Sequence, residues 1–132
     1  MLFVAAVSMA MASDVQGTWS SEREVGDSDG KTYKHVSVIT LKEESGVLTG
    51  SVVATSEAPW MRENTGKAVD IQDGKVDGNK FTFKLVQEAS NGVRTAAYEG
   101  TVTGDQMKGV IKFRGIGQSW VFDAKRIEPA SR

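Results

Sequence analysis

His35 is the only histidine in this 132-residue chain, and cysteine is absent. Those two facts remove most chemistry at once. There is no thiolate nucleophile, no thiolate zinc site, no disulfide and no pair of histidines to relay a proton. The polar groups that remain are few. Tyr33, His35 and Ser37 alternate along one run, so they share a face and could line the mouth of a pocket. The plainer alternative is a strand histidine whose hydrogen bonds are met locally. Gln87 and Tyr98 could add polar groups inside the same pocket, or the Tyr98 hydroxyl could reach a main-chain partner at the rim.

Other candidates carry less chemistry. Glu22 and Glu24 fall on one strand face, but without an apolar pocket to raise one pKa they are solvated charges. Asp27-Ser28-Asp29-Gly30 has the carboxylates of a calcium loop. Val25 occupies the first-ligand position, however, and no Glu follows at the right offset, so the stretch reads as a hairpin turn. Gly115-Ile116-Gly117-Gln118 is followed by no helix that would present an N-terminus to a phosphate. Ser119 and the other serines lack a nucleophile elbow. No catalytic residue, metal ligand or cofactor site is assigned. The most unusual local feature is Trp60-Met61, in the long irregular stretch 56–66. A Trp-Met pair there either plugs the end of the fold or anchors a ligand or partner.

The elements that must position these residues are strands. From residue 15 onward, short alternating runs are separated by turn residues at roughly the 8–12-residue spacing of a sandwich or barrel. Eight runs are expected, at 15–24, 32–42, 47–55, 67–76, 80–88, 93–103, 106–114 and 118–127, with a bulge at Asp73-Gly74. No stretch has helical periodicity, and the links are too short for parallel crossovers. The expected fold is therefore all-β, an eight-stranded antiparallel up-and-down barrel, with closure removing both sheet edges. Alternation puts Phe81, Phe83 and Leu85 inside, with Met107, Gly109, Ile111 and Phe113, and with Trp120, Phe122, Ala124 and Arg126. The bulky aromatics among them could fill the barrel, whereas inward Gly50, Gly100 and Gly109 would leave room.

Residues 1–12 are nearly all apolar and end in Ala10-Met11-Ala12. They read as a signal peptide cleaved after Ala12, leaving 13–132 as a single barrel domain. With no Lys or Arg after Met1, the leader reads as truncated at its start; the alternative is an N-terminal segment packed on the domain. The apolar run falls short of the about 20 residues a span requires, so no membrane span is expected in the mature chain. Sixteen basic and seventeen acidic residues are interleaved for a net charge of −1, which argues against nucleic acid as a partner.

Gly17-Thr18-Trp19 resembles the lipocalin and wider calycin pattern, in which Gly-x-Trp opens the first barrel strand. In that family a basic residue near the end of the last strand lies across the indole. Arg126, in Ala124-Lys125-Arg126, occupies that place. The resemblance implies that Gly17, Trp19 and Arg126 close the barrel, held by the attraction of a cation to an indole face. The stretches 71–81, 104–109 and 122–126 also resemble short exported bacterial domains, found alone or appended to secreted hydrolases and without an assigned activity. That likeness implies barrel and compartment and carries over no catalytic residue. The expected function is an exported (periplasmic or secreted), monomeric, non-enzymatic barrel. It would bind a small apolar or amphipathic ligand, or a protein partner, through Trp60, Met61, His35, Tyr33, Gln87 and Tyr98. The alternatives are a hydrolase or isomerase using His35 with a carboxylate at the mouth, and a structural module of the cell envelope.

Overall fold

Turn chemistry cuts the chain into strands in the computed structural model, which describes residues 15–62, 64–89, 92–114 and 119–128. The expected leader lies outside those residues, as does the Gly115-Ile116-Gly117-Gln118 turn. The strands are β1 (Gly17–Gly26), β2 (Thr32–Glu44), β3 (Val47–Ser56), β4 (Ala68–Asp70), β5 (Gln72–Asp77), β6 (Lys80–Ala89), β7 (Gly92–Thr103), β8 (Gln106–Phe113) and β9 (Ser119–Glu128). One 3₁₀ turn, Pro59–Met61, interrupts the link between β3 and β4. No helix among the described residues is long and apolar enough to cross a membrane.

Every pairing is antiparallel; strands pair with their neighbours in sequence, save that β3 also pairs with β5, and β1 pairs with β9, which closes the sheet on itself. β4 and β5 are two pieces of the fourth barrel strand, both lying against β3. They break at Ile71, and the expected bulge lies just beyond, inside β5, where register slips between Gln72 and Lys75 and Asp73 has φ 54°. The result is a closed eight-stranded antiparallel barrel. At Ser45-Gly46 both φ angles are positive, 52° and 84°, as in the tight hairpins whose twist matches that of the flanking strands.

Sequential antiparallel strands send alternate links to opposite ends. The links at 45–46, 78–79 and 104–105 lie with the start of β1 and the end of β9, at the floor. The link at 27–31, the described residues of 57–67, and the ends of β6 and β8 lie at the other end, the mouth. Trp60-Met61 belongs to the mouth by this topology.

The floor is closed by Trp19. Its indole is fully buried, Nε1 donates to the Val15 carbonyl at 2.9 Å, and the Arg126 guanidinium lies 4.2 Å from the ring centroid. Trp19 and Arg126 are register partners across β1 and β9. Arg126 also donates to the Gln16 carbonyl at 2.6 Å and to Asp105 Oδ1 at 2.9 Å, so one side chain ties three chain segments together. Gln16 in turn accepts from the Glu43 amide at 2.8 Å.

Packing settles where the barrel is full. Leu41, Leu48, Phe81, Val102, Met107 and Ala124 fill the half above the floor, each nearly or fully buried. Phe83 and Tyr98 stack at 4.6 Å, and Tyr98 meets Phe122 edge-on at 5.6 Å, capping that filled half. The inward glycines leave no room for a ligand. Gly100 and Gly109 are register partners, and a Cβ on Gly100 would come within 3.0 Å of the Phe81 ring. The space is taken by Phe81 and by neighbouring backbone.

Candidate functional site

Above the aromatic layer, toward the mouth, the barrel is hollow. A cavity of about 710 Å³ opens there, within the roughly 300–1,000 Å³ range of small-molecule sites. Two kinds of wall face each other. Val52, Ala54 and Val69 on β3 and β4, with Leu85, Ala96, Ile111 and Phe113 on β6 to β8, make an apolar wall. On β1 and β2 the same inward alternation that buries Trp19 and Ile39 brings in Ser21, Arg23, Ser37 and His35. Ser21 pairs with Ser37 and Arg23 with His35 across the ladder, so the four form one polar patch.

Arg23 is half-buried, and its guanidinium sits 3.9 Å from the centroid of Trp120. Trp120 packs edge-on against Phe113 at 4.8 Å. The β1–β9 ladder spans only residues 18 to 20 of β1, so toward the mouth this stack links the two strands. Among the described residues Arg23 has no carboxylate partner; the four ion pairs are Lys34–Glu22, Lys84–Asp73, Lys112–Glu99 and Arg126–Asp105. Lys67 and Arg94 add positive charge nearer the mouth. The lining contains one acidic residue among those described, Glu24, which is exposed and lies on the opposite face of β1 from Arg23.

His35 is 7 % exposed, and its Nδ1 is buried without a hydrogen-bond partner among the described residues. Burial lowers its pKa below the ordinary 6.5, and the Arg23 charge lowers it further. Burial pushes the Tyr98 hydroxyl up to about 12, with Arg23 opposing part of that shift. Burial likewise lowers the Arg23 pKa, but a guanidinium stays charged in proteins.

The signs give a testable pH profile. As pH falls, the unfolded chain takes up a proton at His35 before the folded one, so the folded state loses stability below about pH 6.5. At high pH the unfolded phenol ionises near 10 while Tyr98 resists, so stability falls again above about pH 10. Urea unfolding should show both limbs, with the acid limb shallower in His35→Gln and the alkaline limb shallower in Tyr98→Phe. Unchanged limbs in the variants would mean that neither side chain is the source.

Of the residues singled out from sequence, His35, Met61, Gln87 and Tyr98 line this one cavity. Tyr33 stands nearer the mouth, where its hydroxyl donates to Asp27 Oδ2 at 3.2 Å. Trp60 lies in the 3₁₀ turn beside Met61; its side chain is outside what the structure describes. The Asp27 turn is a hairpin device: Oδ1 accepts from the amides of Asp29 and Lys31, each at 2.9 Å. Sequence reasoning missed Arg23, Arg94, Lys67 and Asn64, all of which line the cavity. For Arg23 the signal was present. It is four residues from Trp19 on an alternating strand and so must share its face. Arg94 stands in the same relation to Tyr98. Lys67, expected at the start of the fourth run, lies two residues before inward Val69, and Asn64 lies in a loop, where no periodicity could have placed it.

Compared with known proteins, the chain matches no family model and no curated sequence.

Proposed function

We propose that this protein is an exported, non-enzymatic barrel that takes a small amphipathic ligand into its mouth. The observation that carries this is the cavity of about 710 Å³, with an apolar wall on one side and a polar patch on the other. A ligand with one wet and one dry face would satisfy both. The leader expected over residues 1–12 supports export, and the Trp19–Arg126 closure is what the lipocalin-like resemblance anticipates. The enzymatic alternative called for a carboxylate beside His35. His35 pairs instead with a cation, Arg23, across the ladder.

The test is a neutral, polarity-sensitive dye. Nile red should brighten and shift to the blue on binding the wild-type protein. The response should be lost when Ala54→Trp and Ala96→Trp together fill the cavity, with the strand circular dichroism retained. A wild-type barrel that leaves the dye dark, or a filled barrel that binds it equally well, would remove the proposal.

A further inference from the structure

The cavity carries an imbalance of charge that its shape does not require. Charged groups inside proteins are ordinarily paired, because removing a charge from water is costly without a partner. Arg23 reaches into the barrel with an indole face 3.9 Å away and, among the described residues, no carboxylate partner. Each of the four ion pairs uses carboxylates elsewhere: Glu22, Asp73, Glu99 and Asp105. The described lining holds three fixed cations, Arg23, Lys67 and Arg94, against one carboxylate, Glu24, whose side chain is on the outer face. Arg23 also has the neighbours of an anion site. Ser21 and Ser37 bring hydroxyls to the same patch, and buried His35 contributes a ring whose Nδ1 has no hydrogen-bond partner among the described residues.

From this we infer that the ligand is an anionic amphiphile whose carboxylate-like head group is bound by Arg23 on the β1–β2 wall, with its apolar body against Val52, Leu85, Ala96 and Phe113. The inference rests on the cavity being a ligand site, as proposed above. A planar guanidinium offers two parallel N–H donors to a carboxylate, and charge-assisted bonds of that kind are about twice as strong as neutral ones. Trp120 beneath the guanidinium keeps it flat and oriented, so little side-chain freedom is lost on binding. Lys67 and Arg94 nearer the mouth would draw anions in and add little once the head group is seated.

Calorimetric titration with twelve-carbon probes of matched length tests this: dodecanoate, dodecanol and dodecyltrimethylammonium. The wild-type protein should prefer dodecanoate to dodecanol by about tenfold or more and bind the cationic probe weakest, as expected when a partly buried charge finds its partner. Arg23→Met should abolish the preference while changing dodecanol binding less than about threefold, since the methylene stem is retained. Arg94→Met should leave most of the preference in place. If dodecanol and dodecanoate bind equally to the wild type, the head-group inference falls and the ligand-binding proposal stands. If Arg94→Met, not Arg23→Met, removes the preference, the anion sits at the rim and the assignment to Arg23 is wrong. If none of the probes binds and Nile red stays dark, both fall together.

Discussion

Replacing Trp19 by Ala should cost about 3–5 kcal/mol of folding stability, the range for truncating a buried aromatic. The indole is fully buried, and deleting it opens a hole at the one place where the barrel closes on itself. β1 meets β9 only over residues 18 to 20, with a register shift between Thr18 and Trp19, so that ladder offers few main-chain bonds of its own. The Arg126 guanidinium would lose the ring 4.2 Å beneath it, and the Val15 carbonyl would lose the indole donor. Cation–π pairs contribute about 0.5–2 kcal/mol, so most of the loss must come from packing. A double-mutant cycle with Arg126→Met separates the two parts. Urea unfolding that shows a loss under about 1 kcal/mol for Trp19→Ala would contradict a buried closure residue.

Gly50→Ala should cost about 2–5 kcal/mol, although it adds one methyl group. Two penalties coincide. Gly50 has φ 147°, where an L side chain is strained, and its Cβ would fall on the Thr40 carbonyl of the paired strand β2. The dihedral penalty is about 1–2 kcal/mol, and forcing packed backbone apart adds about 1–3 kcal/mol. Gly30→Ala isolates the first penalty. Gly30 has φ 85° in a turn with no atom near its Cβ, so it should lose only about 1–2 kcal/mol. Gly109→Ala isolates the second, because its Cβ would meet the Glu99 carbonyl without a positive φ. Thermal or urea unfolding that ranks Gly50→Ala level with Gly30→Ala would mean β2 and β3 can separate cheaply, and the close approach would carry no weight.

These glycines show where the sequence can mislead. An inward glycine between large residues suggests spare room, since the missing side chain is all that one dimension of the chain reveals. In the barrel the strands coil so tightly at Gly50, Gly100 and Gly109 that neighbouring backbone or the Phe81 ring occupies the position. How closely two strands approach depends on the coiling of the whole sheet, which no single residue encodes.

What the sequence determined by itself was everything governed by period and turn. Alternation is a local property of extended backbone, so it assigned Phe81, Phe83, Leu85, Met107, Ile111 and Phe122 to the interior, and all six are buried, whereas Trp120, assigned to the same face as Phe122, is exposed at the mouth. Turn residues such as Ser45-Gly46 set hairpin links and their alternation between the two ends, which assigns the irregular stretch 56–66 to the mouth. The same period pointed to Arg23, but a charge in an alternating strand is ordinarily assigned to solvent, so the hydrophobic pattern hid it. Only the tertiary structure decided which half of the interior is full. Phe81, Met107 and Val102 interlock below the Tyr98–Phe122 layer, while above it Ala54, Ala96 and the serines are too short to meet across the barrel, and the cavity remains. The reason is geometric: period sets which side chains face inward, but whether they touch depends on the distance between opposite walls, and only closure of all eight strands sets that distance.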